Sequence, residues 1–138
     1  MMIAKTQTTS TDIHVKILQL VNALTWGGAQ ILVSDLARAA RRAGHATVIA
    51  AFRDGPLSAP LRREGFDVRI LGEELFDIAA AWRLLALCRE FRPDVIHSHL
   101  SRATFWARVL RNRLTETRLV MTIHGFESGR FHSVEKRM

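Results

Sequence analysis

Five short apolar runs alternate with stretches of helical period along this chain, and that alternation constrains the fold more than any other feature. The runs are Val15–Val21 (VKILQLV), Ala46–Phe52 (ATVIAAF), Phe66–Leu71, Val95–Leu100 (VIHSHL) and Leu119–His124 (LVMTIH). Ala46–Phe52 is continuous and carries β-branched residues, as a strand buried on both faces of a parallel sheet does. In Phe66–Leu71 the apolar Phe66, Val68 and Ile70 alternate with Asp67 and Arg69, which suits a strand nearer the sheet edge.

Helical segments fill the gaps. Leu32, Leu36, Ala40 and Ala43 recur at helical spacing, with Ser34, Asp35, Arg38, Arg41 and Arg42 assigned to the other side and Gly44 as the stop. A short helix is expected over Ser58–Glu64, closed by Gly65. Ile78, Trp82, Leu85 and Cys88 mark a third helix, which Pro93 ends. Ser101 reads as the N-cap of a fourth, carrying Phe105, Trp106, Val109, Leu110 and Leu114. Strand and helix in alternation predict an α/β fold: a Rossmann-like, doubly wound parallel sheet of about five strands with right-handed crossovers.

At 138 residues and 48% hydrophobic content, the chain can build one core of ordinary domain size. The expected organisation is a disordered tail over 1–13, the α/β unit over 14–125 and a polar tail over 126–138. Cys88 is the sole cysteine, which excludes an internal disulfide and a CxxC metal site and favours a reducing compartment. The polar first twelve residues lack the apolar segment of an export signal, and Leu75–Cys88 is too short and too charged to span a bilayer. The reading is a cytoplasmic chain that can also lie peripherally on the inner membrane surface.

The net charge of +7 comes mostly from arginine, since the lysines are Lys5, Lys16 and Lys136. Such a balance rewards phosphorylated ligands, anionic lipid or nucleic acid alike. No helix-turn-helix, RNP or zinc-finger pattern supports a specific nucleic-acid partner.

Open α/β sheets bind ligands beyond the carboxyl ends of their strands, where the strand order reverses. With the order 3-2-1-4-5, that crevice lies between the first and fourth strands and brings Asn22, Gly27, Gly28, His99, Ser101, Arg102 and His124 to one place. Gly27 and Gly28 are expected to make a tight turn at a helix N-terminus, with no Cβ in the way of an anionic or sugar-like ligand. No Gly-Lys-Ser/Thr follows and no G-x-G-x-x-G occurs. His97 and His99 share a strand face, yet no carboxylate or thiol completes a metal site. His97 reads as a hydrogen-bonded core residue, and His99 as the same or as a ligand contact. His124, at a strand end and followed by Gly125, can present its ring to a bound hydroxyl. No G-x-S-x-G elbow supports a Ser-His-Asp triad.

With these pieces in order, the chain resembles the N-terminal domain of a GT-B glycosyltransferase of the family 4 type. ILQLVNALTWGGAQ, LARAARRAGHATV, DGPLSAPLRREGFDVRILG, RPDVIHSHLSRATFWARV and LVMTIHG carry the resemblance over roughly residues 15 to 125. It implies transfer of a sugar from a nucleotide-sugar donor to an acceptor hydroxyl, with no bound metal or cofactor. Gly27 and Gly28 match the loop that borders the donor diphosphate and the transferred sugar. His124 matches the strand-end histidine that contacts that sugar, and Ser101 and Arg102 fall where acceptors are accommodated. The family's second domain, with its donor-binding E-x7-E motif, has no counterpart here; Glu127 and Glu135 have that spacing by chance. The chain is therefore expected to be inactive alone, as a truncation, a remnant or one subunit of a split enzyme. The competing expectation is a non-enzymatic module that associates through its last strand or through an anionic membrane surface.

Overall fold

The computed structural model describes residues 14–72 and 78–123. Both expected tails and His124 lie outside the described residues, as does the segment 73–77. Among the described residues there are five strands: β1 (Lys16–Ala23), β2 (Ala46–Arg53), β3 (Asp67–Ile70), β4 (Val95–His99) and β5 (Arg118–Thr122). They form one sheet in the order β3-β2-β1-β4-β5, and every neighbouring pair is parallel. This is the doubly wound arrangement that the alternation of runs predicts. Four helices connect the strands: α1 (Gly28–Arg42), α2 (Ser58–Arg63), α3 (Ile78–Phe91) and α4 (Ser101–Leu110), the last followed by one 3-10 turn at Arg111–Arg113.

Alternation along the central strands divides the core into two layers. Leu18 and Leu20 of β1, with Val48, Ala50 and Phe52 of β2, pack beneath Leu84, Leu87 and Cys88 of α3 and Ala103 and Ala107 of α4. Val21, Ile49 and Ala51 turn to the other face, against Val33 and Ala37 of α1 and Leu57 and Leu61 around α2. Gly44 (φ 84°) and Gly65 (φ 90°) close α1 and α2 in the left-handed region, where glycine pays no Cβ penalty.

The inward stripe of α1 differs from the expected one. Ala29, Gln30, Val33, Ser34 and Ala37 are buried, whereas Leu32 and Ala43 face solvent and Leu36 is half-buried. The displacement follows from Ser34, whose hydroxyl donates to the Gln30 carbonyl at 3.0 Å and so goes inside with its hydrogen bond made. Small residues at 34 and 37 let α1 lie close to the sheet. On α3, Leu85 and Cys88 are buried as expected, but Ile78 and Trp82 are exposed. On α4, Phe105 and Val109 are exposed, while Trp106 and Leu110 pack against the first core layer.

β5 is an edge strand, and among the described residues it is covered lightly on both faces: Val120 is 47% exposed and Met121 41%. No helix among the described residues is long and apolar enough to cross a membrane.

Burial pushes the Cys88 thiol from an ordinary 9.0 up to about 12. The unfolded chain therefore surrenders this proton first, and the contribution of the neutral thiol is present below pH 9 and lost as pH rises towards 12. Native protein at pH 8 should resist iodoacetamide and react fully in denaturant. The urea midpoint should fall between pH 8 and 10 in the wild type and fall less in C88A.

Candidate functional site

Three strand-to-helix junctions meet at the carboxyl end of β1, and the β1 junction is fastened to its neighbours by backbone contacts on one side and by a side chain on the other. On one side, β2 runs in register with β1 so that Ala23 lies beside Arg53. Leu24 N–H donates to the Arg53 carbonyl at 3.2 Å, and Leu57 N–H donates to the Leu24 carbonyl at 3.0 Å. Gly55 sits so close that an added Cβ would overlap the Leu24 carbonyl. The loop leaving β1 and the loop leaving β2 are thus one packed unit, and Asp54 braces it. Its carboxyl is held below the usual range by hydrogen bonds from the Ser58 side chain and the Gly55 N–H.

On the other side the fastening is a side chain. Asn22 Oδ1 accepts the Ala103 N–H at 2.8 Å, taking one of the orphan donors in the first turn of α4. Leu100, not Ser101, occupies the N-cap position, and it does so at φ 72°, ψ 164°. That conformation is nearly reserved for glycine and costs on the order of 1–3 kcal/mol. A leucine there ends β4 abruptly, and its side chain packs against the second core layer. Ser101 becomes the first helical residue, exposed, with Arg102 half-buried behind it. The expected cap was therefore misplaced by one residue, and the capping oxygen comes from the neighbouring strand.

The glycine pair behaves differently from the expectation. Gly27 is extended (φ −178°, ψ 162°) and Gly28 opens α1, so no tight turn demands them. A Cβ at Gly27 would meet the Gln30 amide oxygen at 2.5 Å, whereas one at Gly28 would meet nothing within 4 Å. Gly28 is exposed, and the space in front of the first turn of α1 is open. Neither α1 nor α4 carries an acidic residue in its first turn, so the positive ends of both helix dipoles face this edge unneutralised.

Below the edge, His97 and His99 share a face as the alternation requires, with ring centroids 4.0 Å apart. His99 is fully buried, and its Nε2 lies 2.8 Å from Gln19 Oε1. This contact ties β4 to β1 through a side-chain pair within the core. His97 Nε2 is 2.6 Å from the Thr122 hydroxyl. The two rings link β1, β4 and β5 beneath the crevice, and solvent does not reach His99.

The structure brings Asn22, Gly27, Gly28, Ser101 and Arg102 to the same end of the sheet, with His99 under them. His124 lies outside the described residues. Arg53, Gly55 and Trp26 belong to the edge and were not singled out from sequence. Arg53-Asp54-Gly55-Pro56 reads as a strand breaker, although the rule that ligands gather at the carboxyl ends of strands applies to β2 as well. Trp26 is 69% exposed, a large apolar ring left in solvent beside the crevice.

Residues 26–138 match the family model described as Glycosyltransferase Family 4. No curated protein matches the sequence closely enough to count as a relative. Solved structures share the fold. HepE of Anabaena, determined in complex with UDP-glucose, is 20% identical with a TM-score of 0.63 over 78% of this chain and 29% of its own. A glycosyltransferase from Rickettsia africae is 20% identical with a TM-score of 0.66, over 85% of this chain and 31% of its own. UDP-GlcNAc 2-epimerase from Methanocaldococcus jannaschii is 11% identical with a TM-score of 0.55, over 82% and 32%. The chain thus spans about a third of the length of each.

Replacing Asn22 by Ala should cost about 1 kcal/mol in urea unfolding, the usual loss for a helix cap, with N22D retaining most of the stability. G55A should cost roughly 1–3 kcal/mol, because backbone must move to admit the methyl group, while G28A should leave the unfolding midpoint nearly unchanged.

Proposed function

The chain belongs to glycosyltransferase family 4, and from that membership we propose that it forms the acceptor-side wall of a cleft in which a sugar passes from a nucleotide-sugar donor to an acceptor hydroxyl. The observation that carries this reading is the fastened crevice at the end of β1, with open space before Gly28 and two helix N-termini free of acidic residues. Fixed dipoles aimed at developing negative charge are what a departing diphosphate requires. Gly27 and Gly28 border the donor phosphates and the transferred sugar, Ser101 and Arg102 face the acceptor, and His124 stands at the reaction centre. Asn22 serves this site by holding α4 through Ala103, and His99 by bracing the strand beneath it through Gln19.

Both walls of such a cleft are needed to preorganise charge. The donor nucleotide is held by residues outside 14–123, whether on the same polypeptide or on a partner. The partial exposure of Val120 and Met121 on β5 favours a second reading, in which this unit associates through its edge strand with another subunit. Peripheral contact of the arginine-rich surface with an anionic membrane is compatible with either.

The 138-residue chain alone should show no hydrolysis or transfer of a UDP-sugar; turnover by it unaided would overturn the two-wall reading. In an active assembly containing this unit, H124A should lower kcat by about 10²-fold or more with an unchanged unfolding midpoint. Full activity in H124A would remove His124 from the reaction centre.

A further inference from the structure

Helices α3 and α4 lie side by side on one face of the sheet, and both give their inner stripes to the same core layer. Their outward stripes carry large apolar side chains. Ile78, Trp82, Phe105 and Val109 each expose half or more of their surface. They fall in two i, i+4 pairs, one on each helix, so each pair makes a ridge along its own helix. Burial of Ala81, Leu84, Leu85 and Cys88 on α3, and of Ala103 and Ala107 on α4, keeps these ridges on the side away from the sheet. Packed helices sit about 8–10 Å apart, so the two ridges belong to one surface. Single exposed apolar residues are ordinary, whereas a cluster of large ones marks a surface that meets something other than water.

The charge on that surface is of one sign. Arg89 extends the stripe of Trp82 on α3, Arg108 adjoins Phe105 and Val109 on α4, and Arg111 follows in the 3-10 turn, all of them exposed. Neither α4 nor the turn after it contains a carboxylate, and the carboxylate of α3, Glu90, is engaged by Arg69 of β3 at 3.4 Å. The opposite face of the sheet mixes both signs: there Arg38 pairs with Asp35 and with Glu64, each at 3.1 Å.

We propose that the outer face of α3 and α4 docks on an anionic lipid bilayer, with Ile78, Trp82, Phe105 and Val109 entering the interfacial layer and Arg89, Arg108 and Arg111 meeting the lipid phosphates. A protein partner favours an apolar centre with charge kept to the rim, whereas here guanidinium groups adjoin the rings on both ridges. A fluid anionic surface accommodates the two together, because an arginine stem is long enough to lie along apolar surface while its head stays with the phosphates. Tryptophan suits the same layer, having an apolar body and a polar N–H. No residue of the two ridges is placed in the crevice at the end of β1, so docking holds or fails independently of sugar transfer.

The experiment is co-sedimentation of the 138-residue chain with vesicles of phosphatidylcholine alone and of phosphatidylcholine mixed with phosphatidylglycerol. Binding to the mixed vesicles is expected, and it should weaken steeply with added salt. W82S and F105S should each lower the partition coefficient about tenfold, while L32S, on α1 across the sheet, should leave it unchanged. The double variants R108Q/R111Q and R42Q/R63Q remove the same net charge. The first should weaken binding severalfold, and the second, at the ends of α1 and α2 on the opposite face, should change it little at physiological salt. All these side chains are exposed or nearly so, and unchanged urea midpoints will show that the variants fold. Failure to bind the mixed vesicles, equal binding of wild type, W82S and F105S, or equal loss in the two arginine pairs overturns the proposal. Self-association that W82S and F105S abolish, without any vesicle binding, would give this face to a protein partner and overturns it as well.

Discussion

Everything at the candidate site depends on the hydrogen-bonded position of β1 between β2 and β4. A parallel ladder leaves no freedom of register where both faces are buried, because a slip of one residue would turn Leu18 and Leu20 out of one core layer and Val21 out of the other. Once that register is set, Ala23 must lie beside Arg53 and Val21 beside His99. The loops that leave these strands then have to emerge together. Their meeting is a consequence of core packing, and the polar contacts at the edge only refine it.

The refinement has a cost. Leu100 adopts a backbone conformation that suits glycine, and it is retained by the cap from Asn22 and by packing of its own side chain against the second layer. Such strain in a strand-to-helix turn fixes where the first residues of α4 point. On the opposite side, Gly55 shows the reverse device, in which a missing Cβ lets two loops touch. One wall of the crevice is held by a side-chain cap beside a strained backbone, and the other by the absence of a Cβ.

The fold does not by itself select a chemistry. A UDP-GlcNAc 2-epimerase shares this topology with transferases at similar TM-scores, and function on such scaffolds lives in the residues grafted at the strand ends. Family membership narrows the choice for this chain.

The sequence by itself determined the number and order of the elements, because burial on both faces writes continuous apolar runs for strands and a 3.6-residue period for helices. The strand order β3-β2-β1-β4-β5 is a property of the folded sheet; given that order, the edge at which Asn22, Gly28, Ser101 and Arg102 gather follows. Tertiary structure alone decided how those residues act. A stripe of small residues rotated α1 inward on Ser34 and Ala37, a cap reached α4 from a strand 81 positions away in sequence, and Gly27 proved to be extended backbone. Periodicity records which way a residue faces relative to its own element, whereas contacts between elements depend on register and close approach, which local sequence does not encode.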